Sequence, residues 1–203
     1  MIAVISDYFR KNDPVLYAAL QKIEDKKDLG PRKTKDYFSD LCETIINQQL
    51  SDKAAATIFG RFLKLFPQQT ITPEVLCTLP DKKIRSVGTS WSKVKFLKNI
   101  AHAVTTKTIR PERLDKCSDG DVIRELTKIK GIGPWTAEMF LMFSLSRPDV
   151  FSMGDVGLRR AIQKLYHLKK EPTAKQLVRI TNKWSPYRTY ACRILWKSLE
   201  LPK

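Results

Sequence analysis

The sequence predicts an all-α fold, a helix bundle formed as a single domain over residues 1–203, and three observations carry that expectation. Apolar residues recur at the i, i+3, i+4, i+7 spacing of one helix face from end to end. No stretch sustains the in-out alternation, closed by Asn-Gly or Asp-Gly, that strands joined by tight turns require. No repeat at a spacing of roughly 20–50 residues and no low-complexity tract points to a solenoid or a disordered array. With 203 residues, 42% hydrophobic and 29% charged, the chain has about one domain's length and enough apolar content to build a core without staples.

The elements follow in order. Asp13-Pro14 is a helix start, and Leu16, Ala19, Leu20 and Ile23 are its apolar face. Residues 25–36 are a polar link containing Gly30-Pro31, and the N-terminal segment is expected to wrap back onto the bundle. Phe38, Leu41, Cys42, Ile45 and Ile46 mark a second helix. Ala55, Ile58, Phe59 and Phe62 mark a third, with Ser51 as candidate N-cap and Pro67 as its stop. Thr72-Pro73 and Leu79-Pro80 open two short pieces, and Gly88 reads as a helix stop. Ser90 restarts the chain into Val94, Leu97, Ala101 and Val104. Ser118 begins a helix through Val122, Leu126 and Ile129, ending at Ile129 or Lys130. Gly133-Pro134 opens the next, through Ala137, Phe140, Leu141 and Ser144. Leu158, Ile162 and Leu165, then Leu177 and Ile180, and finally Ala191, Ile194, Leu195 and Ser198 complete the set.

Charge narrows the function. Thirty-seven Lys and Arg against 21 Asp and Glu leave a formal +16, which suits a polyanionic partner. No apolar run approaches the roughly 20 residues that span a bilayer, and the first residues do not form a secretory signal, so a membrane partner is excluded in favour of nucleic acid. Cys42, Cys77, Cys117 and Cys192 lie far apart with no Cys-x-x-Cys pair, against a zinc ribbon or iron–sulfur loop. They fit small apolar fillers in a reduced, intracellular compartment. With only two histidines, His102 and His167, the sequence argues against a His-rich metal site or a His-based triad. The stretch Lys82 to Lys98 carries six Lys or Arg and no acid, and reads either as a contact for an anion or as a solvated helix face.

The most informative string is Leu126-Thr127-Lys128-Ile129-Lys130-Gly131-Ile132-Gly133-Pro134-Trp135-Thr136-Ala137-Glu138. Two glycines bracket one apolar residue between two helices, and Pro stands at the first position of the second helix, where its missing N–H costs nothing. Glycine permits a hairpin too tight for a Cβ and lets backbone approach backbone. The N–H groups of the hairpin and of the new helix's first turn then point outwards with the helix dipole behind them, a place that binds phosphate.

This hairpin resembles that of the helix-hairpin-helix DNA glycosylases. Three further blocks extend the likeness: Phe151-Ser152-Met153-Gly154-Asp155-Val156-Gly157-Leu158-Arg159-Arg160, Ile45-Ile46-Asn47-Gln48-Gln49-Leu50-Ser51 and Trp184-Ser185-Pro186-Tyr187-Arg188. Together they are similar to the DNA-3-methyladenine glycosylase II branch over roughly residues 13–200, without the extra N-terminal β-domain of some members. The resemblance implies a helix-hairpin-helix motif at about residues 119–145, a catalytic loop at 151–157 and an active site in a cleft between two helical lobes. Asp155 corresponds to the catalytic aspartate, and an N-cap role for it can coexist. Trp135 and Tyr187 correspond to walls of the base pocket, although for Tyr187 a place among core aromatics is an equal reading. Gln49 stands where the family places the residue that fills the gap left by an extruded base; a plain polar helix end is the other reading. DNA-backbone contacts are assigned to Gly131, Gly133, Thr136, Lys128 and Lys130, with Ser90 and Lys93 from the basic stretch. Carbonyls of Thr127, Ile129 and Ile132 match those that hold a structural Na+ or K+; no cofactor is required for the chemistry.

One carboxylate suits this chemistry. Breaking an N-glycosidic bond builds positive charge on the sugar, which an Asp below the ring stabilises while it orients water. N3- or N7-alkylated purines already carry positive charge and leave without a second acid, and Asp149 is the one other carboxylate near Asp155 in sequence. The expectation is therefore a monofunctional glycosylase that removes alkylated purines from damaged double-stranded DNA, acting as a monomer inside the cell, in the cytoplasm or nucleoid of a bacterium or the nucleus of a eukaryote. A glycosylase of the same fold for oxidised, deaminated or mismatched bases, and a non-catalytic DNA-binding module, are the alternatives. The endonuclease III branch is disfavoured, because it places a lysine where Trp135 stands and often carries a four-cysteine cluster.

Overall fold

The computed structural model describes residues 2–26, 29–30, 34 and 36–201, apart from the Asp52 side chain. Among them every regular element is helical. They divide into two compact units, one drawn from both ends of the chain, 1–32 and 146–203, and one from its middle, 33–145. The polar link at 25–36 falls in part outside the described residues.

The chain begins with α1 (Ile2–Asn12), which periodicity did not mark because only Ile5 and Phe9 are buried on it. α2 (Pro14–Gln21) starts as expected. Asp13 is its N-cap, accepting from Leu16 N at 3.2 Å, and Pro14 follows. That carboxylate is only 2% exposed. It also accepts from the Tyr166 hydroxyl at 2.6 Å and the Trp184 indole at 2.9 Å, so its burial is offset by three donors. Burial first, and the neighbouring Asp13 second, push the Tyr166 hydroxyl's pKa up.

The middle unit opens with α3 (Tyr37–Asn47), capped by Asp36 and burying Phe38, Leu41, Cys42, Ile45 and Ile46. α4 (Asp52–Leu63) follows Ser51, which holds the N-cap position without a side-chain bond. α4 stops before Pro67. Turn bonds from Leu65 N to Phe62 O and from Phe66 N to Leu63 O fold the chain so that Phe66 is buried, and Pro67 opens a separate 3-10 turn. α5 (Pro73–Thr78) and α6 (Asp81–Ser86) begin where the prolines predict. Gly88, at φ +109°, then turns the chain towards α7 (Trp91–Thr105), capped by Ser90. α5, α6 and α3 all pack on α7.

α8 (Asp119–Thr127), capped by Ser118, ends at Thr127, two residues before the earlier of the two expected ends. The bond from Ile129 N to Leu126 O tightens the exit, and Ile129 is buried within the hairpin. α9 (Pro134–Met139) runs into a π-turn at Phe140–Ser144, closed by Leu145 N to Phe140 O at 3.0 Å. α9 packs on α8 and α3, and the π-turn also lies on α3.

In the terminal unit, α10 (Val156–Leu165), α11 (Ala174–Thr181) and α12 (Arg188–Glu200) complete the chain. α12 packs on α10 and α2, and α2 also packs on α1. Asp149 ties the segment before α10 to the start of α12. It accepts from Arg188 Nε at 2.7 Å and Nη2 at 2.9 Å, from Arg188 N at 3.2 Å and from the Ser185 hydroxyl at 2.7 Å. None of the four cysteines is in a disulfide; Cys42 and Cys192 are buried, while Cys77 and Cys117 are half-buried. No described helix is long and apolar enough to cross a membrane.

Candidate functional site

The hairpin between α8 and α9 is built differently at its two glycines. Gly131 has φ +108°, and a Cβ on it would overlap the Phe96 ring of α7. Gly133 has φ −95°, and a Cβ on it would meet nothing within 4 Å. The first glycine is thus demanded by the protein's own packing. The second leaves an exposed face on which another molecule can approach the backbone. Between them Ile132 is buried and donates from its N–H to Ile129 O at 3.0 Å. Asn99 Nδ2 donates to Lys130 O at 2.8 Å and fastens the hairpin to α7. Lys128 and Lys130 are exposed, Lys128 pairing with Glu125 at 2.7 Å.

Two expected contacts are turned inwards. The Thr136 hydroxyl, on a residue 2% exposed, accepts from Gln48 Nε2 at 2.9 Å, so it is not left for an outside ligand. Lys93 does not display its ammonium as a phosphate contact. Its Nζ donates to Ile46 O at 2.8 Å and Gln48 O at 2.7 Å, the carbonyls at the end of α3, where helix geometry leaves acceptors unpaired and the dipole negative. Burial lowers its pKa. Ser90 is exposed and its hydroxyl accepts from Lys93 N at 3.2 Å.

Gln49 is exposed in the turn after α3, at φ +57°, a left-handed backbone that non-glycine residues seldom adopt. Leu50 beside it is also exposed. Gln48, which sequence reasoning passed over as part of a motif, bonds inwards to Gly131 O at 3.3 Å as well as to Thr136.

Asp155 lies in the terminal unit and is 8% exposed. Its Oδ1 accepts from Leu158 N at 2.7 Å, making it the N-cap of α10, and from Trp196 Nε1 of α12 at 3.2 Å. Gly157 makes room for this. A Cβ there would stand 3.1 Å from Asp155 Oδ1 and 3.3 Å from the Trp196 indole. The Leu158 main-chain N–H and the Trp196 indole both help to fix the carboxylate, and Trp196 was not found from the sequence because it lies 41 residues away. Val156, next to Asp155, is 76% exposed, so the loop opens outwards at this point. Asp149 is no partner for it. Burial alone would raise the Asp149 pKa, but Arg188 and Ser185 outweigh burial and hold it below the ordinary carboxylate value.

Tyr187 caps α12 by position and packs edge-on against Tyr8 at 5.0 Å and Tyr190 at 6.1 Å, so it is part of an aromatic cluster. Trp135 is half-buried at the second position of α9. Of the expected cation ligands, the Ile129 carbonyl already accepts from Ile132 N, while those of Thr127 and Ile132 have no hydrogen-bond partner among the described residues. No group of three or more His, Cys, Asp or Glu could hold a metal ion among the described residues.

Residues 42–186 match the model of the HhH-GPD superfamily base excision DNA repair proteins. The chain is 37% identical over 169 residues to DNA-3-methyladenine glycosylase 1 of Schizosaccharomyces pombe, covering 82% of this chain and 74% of that protein. It is 31% identical over 169 residues to a Bacillus subtilis relative, covering 80% of this chain but only 59% of that protein's length. Its structure superposes with a TM-score of 0.89 on the S. pombe 3-methyladenine DNA glycosylase solved in complex with abasic DNA, at 31% identity and covering 97% of each chain.

Proposed function

The chain belongs to the HhH-GPD superfamily of base excision DNA repair proteins, and from that premise we propose that it is a monofunctional DNA glycosylase for alkylated purines of the 3-methyladenine and 7-methylguanine type. The observation that carries the reading is Asp155, a nearly buried carboxylate held on one oxygen by Leu158 N and the Trp196 indole. A side chain fixed in this way is preorganised for charge that develops on the sugar as the glycosidic bond breaks. It also orients the water that completes hydrolysis. The base leaves with the bond's electron pair, and the sugar carbon takes the water's oxygen with one of its protons while the other proton is released to solvent, leaving an abasic site. Alkylation at N3 or N7 supplies the leaving base's positive charge, so no second acid is needed.

The substrate is double-stranded DNA gripped through its phosphates by the hairpin at Gly131 and Gly133, with Lys128, Lys130 and Ser90 beside it. The target base is flipped out of the stack, and Gln49 fills the gap. Trp135 is assigned to stacking on the cationic base, and Tyr187 is proposed for the same role. A Na+ or K+ held by the carbonyls of Thr127 and Ile132, with Ile129, would steady the hairpin and take no part in bond breaking. The protein acts as a monomer, inside the cell where its DNA lies. It does not cut the strand. A lyase needs an amine to form a Schiff base with the sugar, and the position two residues after Gly133 is Trp135.

The test is to incubate the protein with methylated DNA and chromatograph the released bases, with borohydride trapping and a denaturing gel run in parallel. Free 3-methyladenine and 7-methylguanine, with no trapped complex and no strand breaks, are expected. Tight duplex binding with no base released would make the protein a binding module. Release of oxidised or mismatched bases alone would reassign its substrate, and a trapped complex would make it bifunctional.

A further inference from the structure

We propose that Lys93 and Gln48 are positioning residues, a clasp that fixes the Gln49 turn to the hairpin so that the phosphate grip and the gap-filling side chain move as one piece. The inference rests on the reading of Gln49 given above. It starts from the backbone of Gln49, whose left-handed φ of +57° persists only if its surroundings hold it. Two sets of bonds do so. Lys93 Nζ, on α7, grips Ile46 O and Gln48 O at 2.8 and 2.7 Å, which fixes the peptide that leads into Gln49. Gln48 Nε2 grips Gly131 O at 3.3 Å and Thr136 Oγ1 at 2.9 Å, one partner on the hairpin and one in the first turn of α9. The side chain of Gln48 thus points in while that of Gln49 is exposed. Leu50 N, donating to Asn47 O at 3.2 Å, closes the turn on its far side.

This accounts for a feature that phosphate binding does not explain. A lysine in a basic stretch would be strongest as a phosphate contact if its ammonium were free in solvent. Here two carbonyls take it, at some cost in hydration. Without that cation the Gln48 carbonyl is released, Gln49 relaxes towards the extended region, and its side chain leaves the place where an extruded base would have stood. The hairpin, held separately by Asn99 and by Phe96 against Gly131, is not dislodged.

The experiment compares dissociation constants for a duplex carrying a tetrahydrofuran abasic analogue and for the same duplex intact. The ratio cancels the uniform loss caused by deleting a positive charge. Wild type prefers the abasic duplex, and Gln49→Ala removes that preference. Lys93→Met is expected to cut the preference about tenfold, or 1.4 kcal/mol, with no further loss when added to Gln49→Ala. Lys93→Arg, which keeps the charge and the N–H donors, should restore it. If Lys93→Met does not fold, Gln48→Leu tests the clasp from the hairpin side with the same expected loss. An unchanged preference in a folded Lys93→Met or Gln48→Leu protein, or a loss that adds fully to that of Gln49→Ala, overturns the clasp and leaves the reading of Gln49 intact. If Gln49→Ala itself keeps the preference, the reading of Gln49 fails and the clasp falls with it.

Discussion

Replacing Gly131 with alanine sets a Cβ into the Phe96 ring on a backbone at φ +108°. Overpacking costs about 1–3 kcal/mol, and the left-handed backbone adds about 1–2 kcal/mol. Gly133→Ala meets no protein atom within 4 Å, so its stability should stay within about 0.5 kcal/mol of wild type. The expected outcome is a crossed pattern: thermal melts fall for Gly131→Ala, whereas Gly133→Ala melts normally and loses affinity for duplex DNA. Asp155 separates two roles in the same way. Asn caps a helix about as well as Asp, and an Asn oxygen still accepts from Leu158 N and Trp196 Nε1. Asp155→Asn should therefore melt close to wild type and bind DNA, yet release methylated bases at least about 100-fold more slowly, the scale lost when one preorganised electrostatic group is removed. Retention of more than about a tenth of the rate, a loss under about 1.4 kcal/mol, would reduce Asp155 to a helix cap.

At the scale of elements, the segment before α10 is anchored to α12 through Asp149. Burial raises its pKa, and the Arg188 and Ser185 bonds more than reverse that, so the folded value lies below the ordinary 3.8. The sign follows directly. In the acid range the unfolded chain binds more protons at this group than the folded one, so its contribution is complete above the ordinary carboxylate pKa. It is lost as pH falls through the folded value. Urea midpoints of wild type and Asp149→Asn should differ most near neutrality and converge as pH falls below about 4. A constant gap from pH 7 to pH 3 would show that the staple does not titrate.

For the whole molecule, the formal charge of +16 sets how it meets DNA. Each phosphate neutralised should contribute about −0.9 to the slope of log affinity against log salt. Filter binding or anisotropy over a salt series should give a steep line for intact and abasic duplexes alike, because the phosphate contacts are common to both. A flat line would remove the hairpin's assigned role. Of the basic stretch Lys82 to Lys98, Lys93 and Lys98 are expected to contribute least to that slope, since each ammonium is engaged with two carbonyls.

What was legible in the sequence was local. Asp13, Thr72, Ser90 and Ser118 each accept from an N–H three residues on, so their positions as helix starts follow from the chain itself. The same holds for Asp155 as a cap and for a hairpin framed by two glycines and a proline. The helix ends were less legible. α8 stops at Thr127 and α4 at Leu63 because three-residue turn bonds, from Ile129 N to Leu126 O and from Phe66 N to Leu63 O, replace the helical ones, and apolar spacing does not register that change. Only the tertiary structure decided what the long side chains do. Lys93 finds its carbonyls 45 and 47 residues away, Gln48 its partners 83 and 88 away, and Trp196 its carboxylate 41 away. A cap needs only the helix that it starts, whereas these bonds exist only after α3 has packed on α7 and α9, and α12 on α10.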